Sequence, residues 1–180
     1  MRLITIQNKK VLETLLDNKL FTADFDYIFN KVNIDETNKF MAYQILMRRY
    51  GYKFPPIFCC VLDRWSSLKG TKISKNSVIL ELEIFDSIVN LHNFDVWVNL
   101  QHCIENGYWN DTVHERYNPY LDGLGAGNRS NTIQAVIPYI KPSSLINAYE
   151  ITDEFIKNYD SYIGNLLINT SYNKIPIYKR

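Results

Sequence analysis

Hydrophobic and polar positions alternate with a period of two at a few places in this chain, and each such place predicts a strand. Ser77–Phe85 (SVILELEIF) is the clearest: Val78, Leu80, Leu82 and Ile84 share one face, and Glu81 and Glu83 the other. Arg2–Gln7 (RLITIQ) is short, β-branched and alternating. Ile57–Leu62 is a continuous apolar run after Pro55-Pro56, which reads as a buried strand. Thr132–Ile140 (TIQAVIPYI) is a further strand, whose Pro138 suggests a sheet edge or a bulge. Pro142-Ser-Ser then turns the chain into Asn147–Ile151.

Helical spacing appears between these runs. Asn8 is placed to cap a helix through Leu16, with Val11, Leu12, Leu15 and Leu16 on its apolar side. Thr37 opens a second helix with a Phe40, Tyr43, Met47, Tyr50 stripe, and Gly51 suits its left-handed end. A third starts at Asn93, with Phe94, Trp97, Val98 and Cys103 or Ile104 inward and Asp95 in the first turn. A last helix is expected from Asp153. Phe21–Glu36 has no clean period and reads as irregular. Ser66–Asn76 is a lysine-rich loop, and Glu105–Asn131 a long loop of the kind that is usually functional or mobile. Strands and helices mix without a βαβ rhythm. The pattern predicts an α+β fold: a mixed, mostly antiparallel sheet with a few flanking helices, in one domain over residues 1–180 with a basic, aromatic tail at 169–180.

Charge adds what the total of +1 conceals. Thr37–Lys75 carries eight basic residues and one acid, whereas Asn76–Glu115 carries seven acids and no Lys or Arg. Such blocks select a partner's charge without specifying chemistry. A pI of about 7.7 is far from the signature of a nucleic-acid-binding surface, so RNA binding through the basic block and tail ranks behind other readings. The three cysteines, two of them adjacent, fit a reducing compartment, and no apolar run has the length of a membrane span. The expected setting is cytoplasmic, with no membrane partner.

Candidate chemistry is sparse. His92, His102 and His114 lie in the acidic block but match no metal-ligand spacing, so no metal site is expected. Asp122–Ser130 contains three alternating glycines and ends near Arg129. Because it precedes a strand rather than joining strand to helix, it is neither a P-loop nor a dinucleotide fingerprint. Tyr50, Tyr52, Phe54 and Trp65 interleave with Arg48, Arg49, Lys53 and Arg64, a mixture that can hold phosphate and stack a base.

A series of short motifs runs along the chain: Leu3-Ile-Thr-Ile-Gln7, Ala42-Tyr43 with Met47-Arg48-Arg49, Pro56-Ile57, Glu81–Glu83, Phe94-Asp95-Val-Trp97 with Asn99, and Ile133-Gln134-Ala135. In this order they resemble an uncharacterised bacterial family, the domain-of-unknown-function family numbered 3841. More distantly, the element order is similar to ADP-ribosyltransferase-like folds, in which a mobile loop leads into a strand bearing a catalytic glutamate. Gln134 stands near that glutamate's place, the first strand lacks the expected basic or histidine anchor unless Arg2 or Thr5 substitutes, and Phe58-Cys-Cys-Val61 lacks a serine-rich motif.

That likeness implies a nucleotide-handling protein with NAD as substrate, or a degenerate relative of one. Asp95 and Gln134 would be the catalytic or ribose-orienting groups. Thr5, Gln7, Arg48, Trp65, Trp97 and Arg129 would contact the nucleotide. The plain alternatives stay open: Thr5 and Gln7 as polar sheet positions, Trp97 as core, Asp95 as a helix-start residue. A second reading is a non-catalytic interaction protein, such as an antitoxin, an inhibitor or a phage-related accessory factor, docking on a protein partner through its charge blocks.

Overall fold

A computed structural model describes residues 1–29, 37–61, 73–108, 110, 133–153 and 174–177. Among these residues seven strands form one sheet: β1 (Arg2–Asn8), β2 (Ile57–Val61), β3 (Ser77–Glu83), β4 (Asn90–Asn93), β5 (Ile133–Ile137), β6 (Leu145–Glu150) and β7 (Lys174–Ile175). Their order is β4-β5-β2-β1-β3-β6-β7, and every neighbouring pair is antiparallel. The helices are α1 (Lys9–Leu16), α2 (Phe25–Phe29), α3 (Thr37–Tyr50) and α4 (Phe94–Glu105). This is the α+β architecture expected from the pattern.

Register assigns each strand residue to a face, because residues directly opposite in an antiparallel pair point the same way. Leu3 lies opposite Leu82 and Val61, Leu80 opposite Ala148, and Cys59 opposite Ala135. These residues form one apolar cluster with Val11, Leu12 and Leu15 of α1. On the second face Ile4 lies opposite Cys60 and Glu81, and Phe58 opposite Val136. There Phe58 packs against the cluster that joins Ala42 and Leu46 of α3 to Trp97, Leu100 and Ile104 of α4. Central strands covered on both faces account for the nearly unbroken burial of β3.

Helix ends follow the capping chemistry of the sequence. The Asn8 side chain accepts from the Lys10 amide, and Asn93 accepts from Asp95 and Val96. Gly51 (φ +67°) and Gly107 (φ +72°) close α3 and α4, with backbone bonds from Tyr52 to Met47 and from Tyr108 to Cys103, each 2.8 Å.

The structure departs from the sequence pattern at several points. Glu81 and Glu83 share a face but differ in burial: Glu81 is buried, whereas Glu83, at the end of β3, is exposed. In α3, Ala42 and Leu46 are buried while Phe40 is 37% exposed: the small and branched residues meet α4, and the aromatic stripe flanks them. In α4, Val98 faces out and Leu100 in. β5 lies inside the sheet between β4 and β2, and Pro138 falls just beyond its end, where no ladder amide is required. α2 occupies part of the stretch that reads as irregular, and β4 joins the sheet without a sequence signal. The glycine run at 122–130 and most of the 169–180 tail lie outside the described residues.

Candidate functional site

One row of side chains crosses the second face. His92 on β4 lies opposite Gln134 on β5. Continuing the β2–β5 register one step sets Gln134 opposite Cys60, which pairs with Ile4; Ile4 pairs with Glu81, and Glu81 with Asn147. Five of these six residues are polar or thiol-bearing, which is unusual for a covered sheet face. Strands lie about 4.8 Å apart, so His92 and Glu81 are about 19 Å from each other and belong to separate clusters.

The first cluster centres on Glu81, which is 4% exposed. Its Oε1 accepts from Arg2 Nη2, while Oε2 accepts from Asn147 Nδ2 at 2.7 Å and Tyr149 Oη at 2.9 Å. A buried carboxylate needs a cation and donors of this kind. They come from the two strands that flank β3, so the cluster also ties β1, β3 and β6 together. Nearly half of the Arg2 side chain is exposed, which gives the cluster one wet side.

The second cluster centres on His92, which is fully buried. Its Nε2 donates to Gln134 Oε1 at 3.0 Å. Phe58 stacks on Trp97 with centroids 6.1 Å apart, and His92 lies 5.8 Å from Trp97 and 6.3 Å from Phe58. Tyr43 meets the edge of Phe58 at 5.6 Å, and burial pushes its phenol up to about 12. Tyr52 Oη donates to the Val136 carbonyl at 3.0 Å and accepts from Asn90 Nδ2 at 2.7 Å. Burial raises its pKa, against the lowering effect of the Asn90 bond.

Thr5 is fully buried on the opposite, first face. Its Oγ1 donates to the Phe58 carbonyl at 2.8 Å and accepts from Gln7 Nε2 at 2.7 Å. Those bonds fill the place where the β1–β2 ladder stops after Ile4. Beside it, burial and then the neighbouring Cys60 push the Cys59 thiol far up, so Cys59 is a packed thiol rather than a nucleophile.

The residues nominated from sequence therefore fall into separate places. Thr5 and Gln7 lie on the first face; Gln134 and Trp97 lie on the second, both buried. Asp95 and Arg48 are exposed, on the first turn of α4 and the last turn of α3. Trp65 and Arg129 lie outside the described residues. The described groups do not converge on one cleft. Sequence reasoning missed Arg2, Asn147 and Tyr149 as partners of Glu81. The available signal was an acid at the centre of the most apolar strand, where a charge is costly unless paired. Among the described residues, no group of three or more His, Cys, Asp or Glu side chains is placed to hold a metal, and no helix is long and apolar enough to cross a membrane.

The fold defines an α+β protein whose antiparallel sheet carries helices on both faces. The chain belongs to a family described as Domain of unknown function (DUF3841), whose profile matches residues 2–161. No curated protein and no solved structure gives a significant match to the chain.

Proposed function

We propose that this chain acts by docking on another protein rather than by turning over a nucleotide. The observation behind this reading is the separation of Thr5 and Gln7 from Gln134 and Trp97 by the thickness of the sheet. Their polar atoms also bond inside the fold: Thr5 to a main-chain carbonyl, Gln134 to His92. A neutral amide held this way neither takes a proton nor offsets a developing cation. The surface offers anchors of the kind that protein interfaces use. Phe85 is 81% exposed and Tyr108 69%, and exposed Arg48 and Lys53 stand in a stretch, residues 37–61, that contains no acid. A cytoplasmic setting belongs to the same proposal and is compatible with the free thiols of Cys59 and Cys103.

The test pairs two measurements. Thermal unfolding in millimolar NAD, ADP-ribose or AMP should be unchanged. A nucleotide at about 100 times its dissociation constant would stabilise by about 2.7 kcal/mol and raise the midpoint by roughly 5 °C or more. Immobilised chain should retain one recurring, stoichiometric protein that is released by about 0.5 M salt. A nucleotide-induced shift with no such protein would reverse the assignment.

The polar row on the second face favours a second reading, a nucleotide-binding relative of ADP-ribosyltransferases that has lost its carboxylate at Gln134. There Asp95 and Gln134 would orient ribose, and Arg48, Trp65, Trp97 and Arg129 would hold NAD.

A further inference from the structure

The chain contains one Asn-Gly pair, Asn106-Gly107, and it closes α4. Both residues are exposed, and nothing lies within 4 Å of the place a Cβ on Gly107 would occupy, so water and base reach the peptide bond between them. The fold nevertheless holds the groups of this bond in place. The Asn106 amide donates to the His102 carbonyl at 3.1 Å, Gly107 to Ile104 at 3.1 Å and Tyr108 to Cys103 at 2.8 Å, which together cap the helix. Asn106 Nδ2 also donates to the His102 carbonyl, at 2.8 Å, and lies 3.3 Å from each nitrogen of the His102 ring. At Asn106 ψ is 7°, which eclipses the Gly107 nitrogen with the Asn106 nitrogen rather than with Cβ.

We infer that Asn106-Gly107 is a site of spontaneous covalent modification, gated by opening of the last turn of α4, and that conversion there loosens α4 from α3. In the reaction the Gly107 amide gives its proton to base and its nitrogen attacks Asn106 Cγ. The Cγ–Nδ2 bond breaks and ammonia leaves with the proton, so a five-membered imide forms with no change of oxidation state. Water then adds to either imide carbonyl. Addition at Cγ gives aspartate, and addition at the main-chain carbonyl gives isoaspartate, whose backbone runs through Cβ. Glycine leaves the attacking nitrogen unhindered, but the capped geometry is not an attacking one. The Gly107 N–H must leave the Ile104 carbonyl and ψ must rotate before the ring can close, which requires the turn to open. Either product harms the cap. An aspartate cannot donate to the His102 carbonyl, and its charge meets the negative end of the helix. Isoaspartate lengthens the main chain by one carbon, so the Gly107 and Tyr108 amides lose their carbonyls. Ile104, buried with Trp97 and Leu100 against Ala42 and Leu46, sits directly under that cap. The reaction uses neither a partner protein nor a nucleotide, so it stands apart from the docking reading.

Peptide mapping by mass spectrometry tests the inference on the whole chain, aged at mildly alkaline pH either folded or held unfolded in urea. The folded chain should gain the mass of an amide-to-acid exchange at residue 106, roughly ten- to thirtyfold more slowly than the unfolded one. Tyr108→Pro removes the N–H that bonds Cys103, and should bring the folded rate toward the unfolded rate. Asn106→Gln, whose longer side chain closes a five-membered ring no more, should stay intact. Should Tyr108→Pro fail to fold, the parent chain answers alone. The factor by which folding slows conversion should match, within about threefold, the factor by which it slows hydrogen exchange at the Gly107 amide. In the aged chain, amides 104–108 should exchange about tenfold faster than before, while those of β3 stay protected. Equal rates in the two states, or a folded chain still intact after about a hundred unfolded half-times, would overturn the gated site. A slowing unrelated to Gly107 exchange would do the same. An aged chain whose α4 amides exchange as before would overturn the loosening.

Discussion

Of the described groups that hold Glu81, two come from β6 and one from β1, so the strands on either side of β3 depend on one carboxylate. The partners differ in what their loss leaves behind. Arg2→Ala leaves a buried charge with two neutral donors, and an unfolding midpoint in urea should report a loss of about 2 kcal/mol. Glu81→Leu removes the buried charge itself, while the freed Arg2 is exposed enough to turn to water. It should therefore cost less than Arg2→Ala. The reverse ranking would show that the sheet needs the carboxylate for more than neutralising Arg2. Position 81 also shows how far alternation can be read. Period-two patterning placed Glu81 correctly on the face opposite Leu80 and Leu82. It carried no information on whether that face was covered, because the cover comes from elements far away in sequence.

Local chemistry was most legible at the helix ends. Asn8, Asn93 and Gly51 act through atoms within a few residues of themselves, and each caps its helix as its type suggests. Gly51 sits at φ +67° with no atom within 4 Å of the place a Cβ would occupy. Gly51→Ala should then cost about 1 kcal/mol from backbone conformation alone, with Gly51→Asn milder. Chemical denaturation checks both, and an alanine variant as stable as the parent would contradict this account of the cap. Elements made by distant partners were illegible. β4 (Asn-Leu-His-Asn) is short and polar, and it is a strand because β5 pairs with it across four residues. The α3 stripe was read from hydrophobicity, but α4 selects Ala42 and Leu46 for close approach and leaves Phe40 outside. The described members of the expected nucleotide site lie on two faces of the sheet for a related reason. Thr5 and Gln134 each alternate correctly along their strand, but the face given to each depends on pairing that neither segment encodes alone.

The whole fold should be sensitive to alkali. Burial holds the protons of Tyr43 and Cys59 more tightly in the folded chain than in the unfolded one, and Tyr52 shifts the same way. Their contribution is intact at neutral pH. It starts to fall once unfolded thiols and phenols ionise, near pH 8.5 and 10, and keeps falling until Tyr43 itself ionises at about 12. Urea midpoints measured from pH 7 to 11.5 should decline from about pH 8.5, and Cys59→Ala should delay the onset toward pH 10. A flat profile would mean that these groups titrate alike in both states. A different consequence follows from where β1 sits. β1 occupies the middle of the sheet, and its two neighbours there, β2 and β3, follow it in the chain only after α3. Leu3, Ile4 and Ile6 must therefore wait, apolar and unpaired, until those strands are made. Pairings this distant in sequence close slowly, so the nascent chain is a natural client for a holding chaperone.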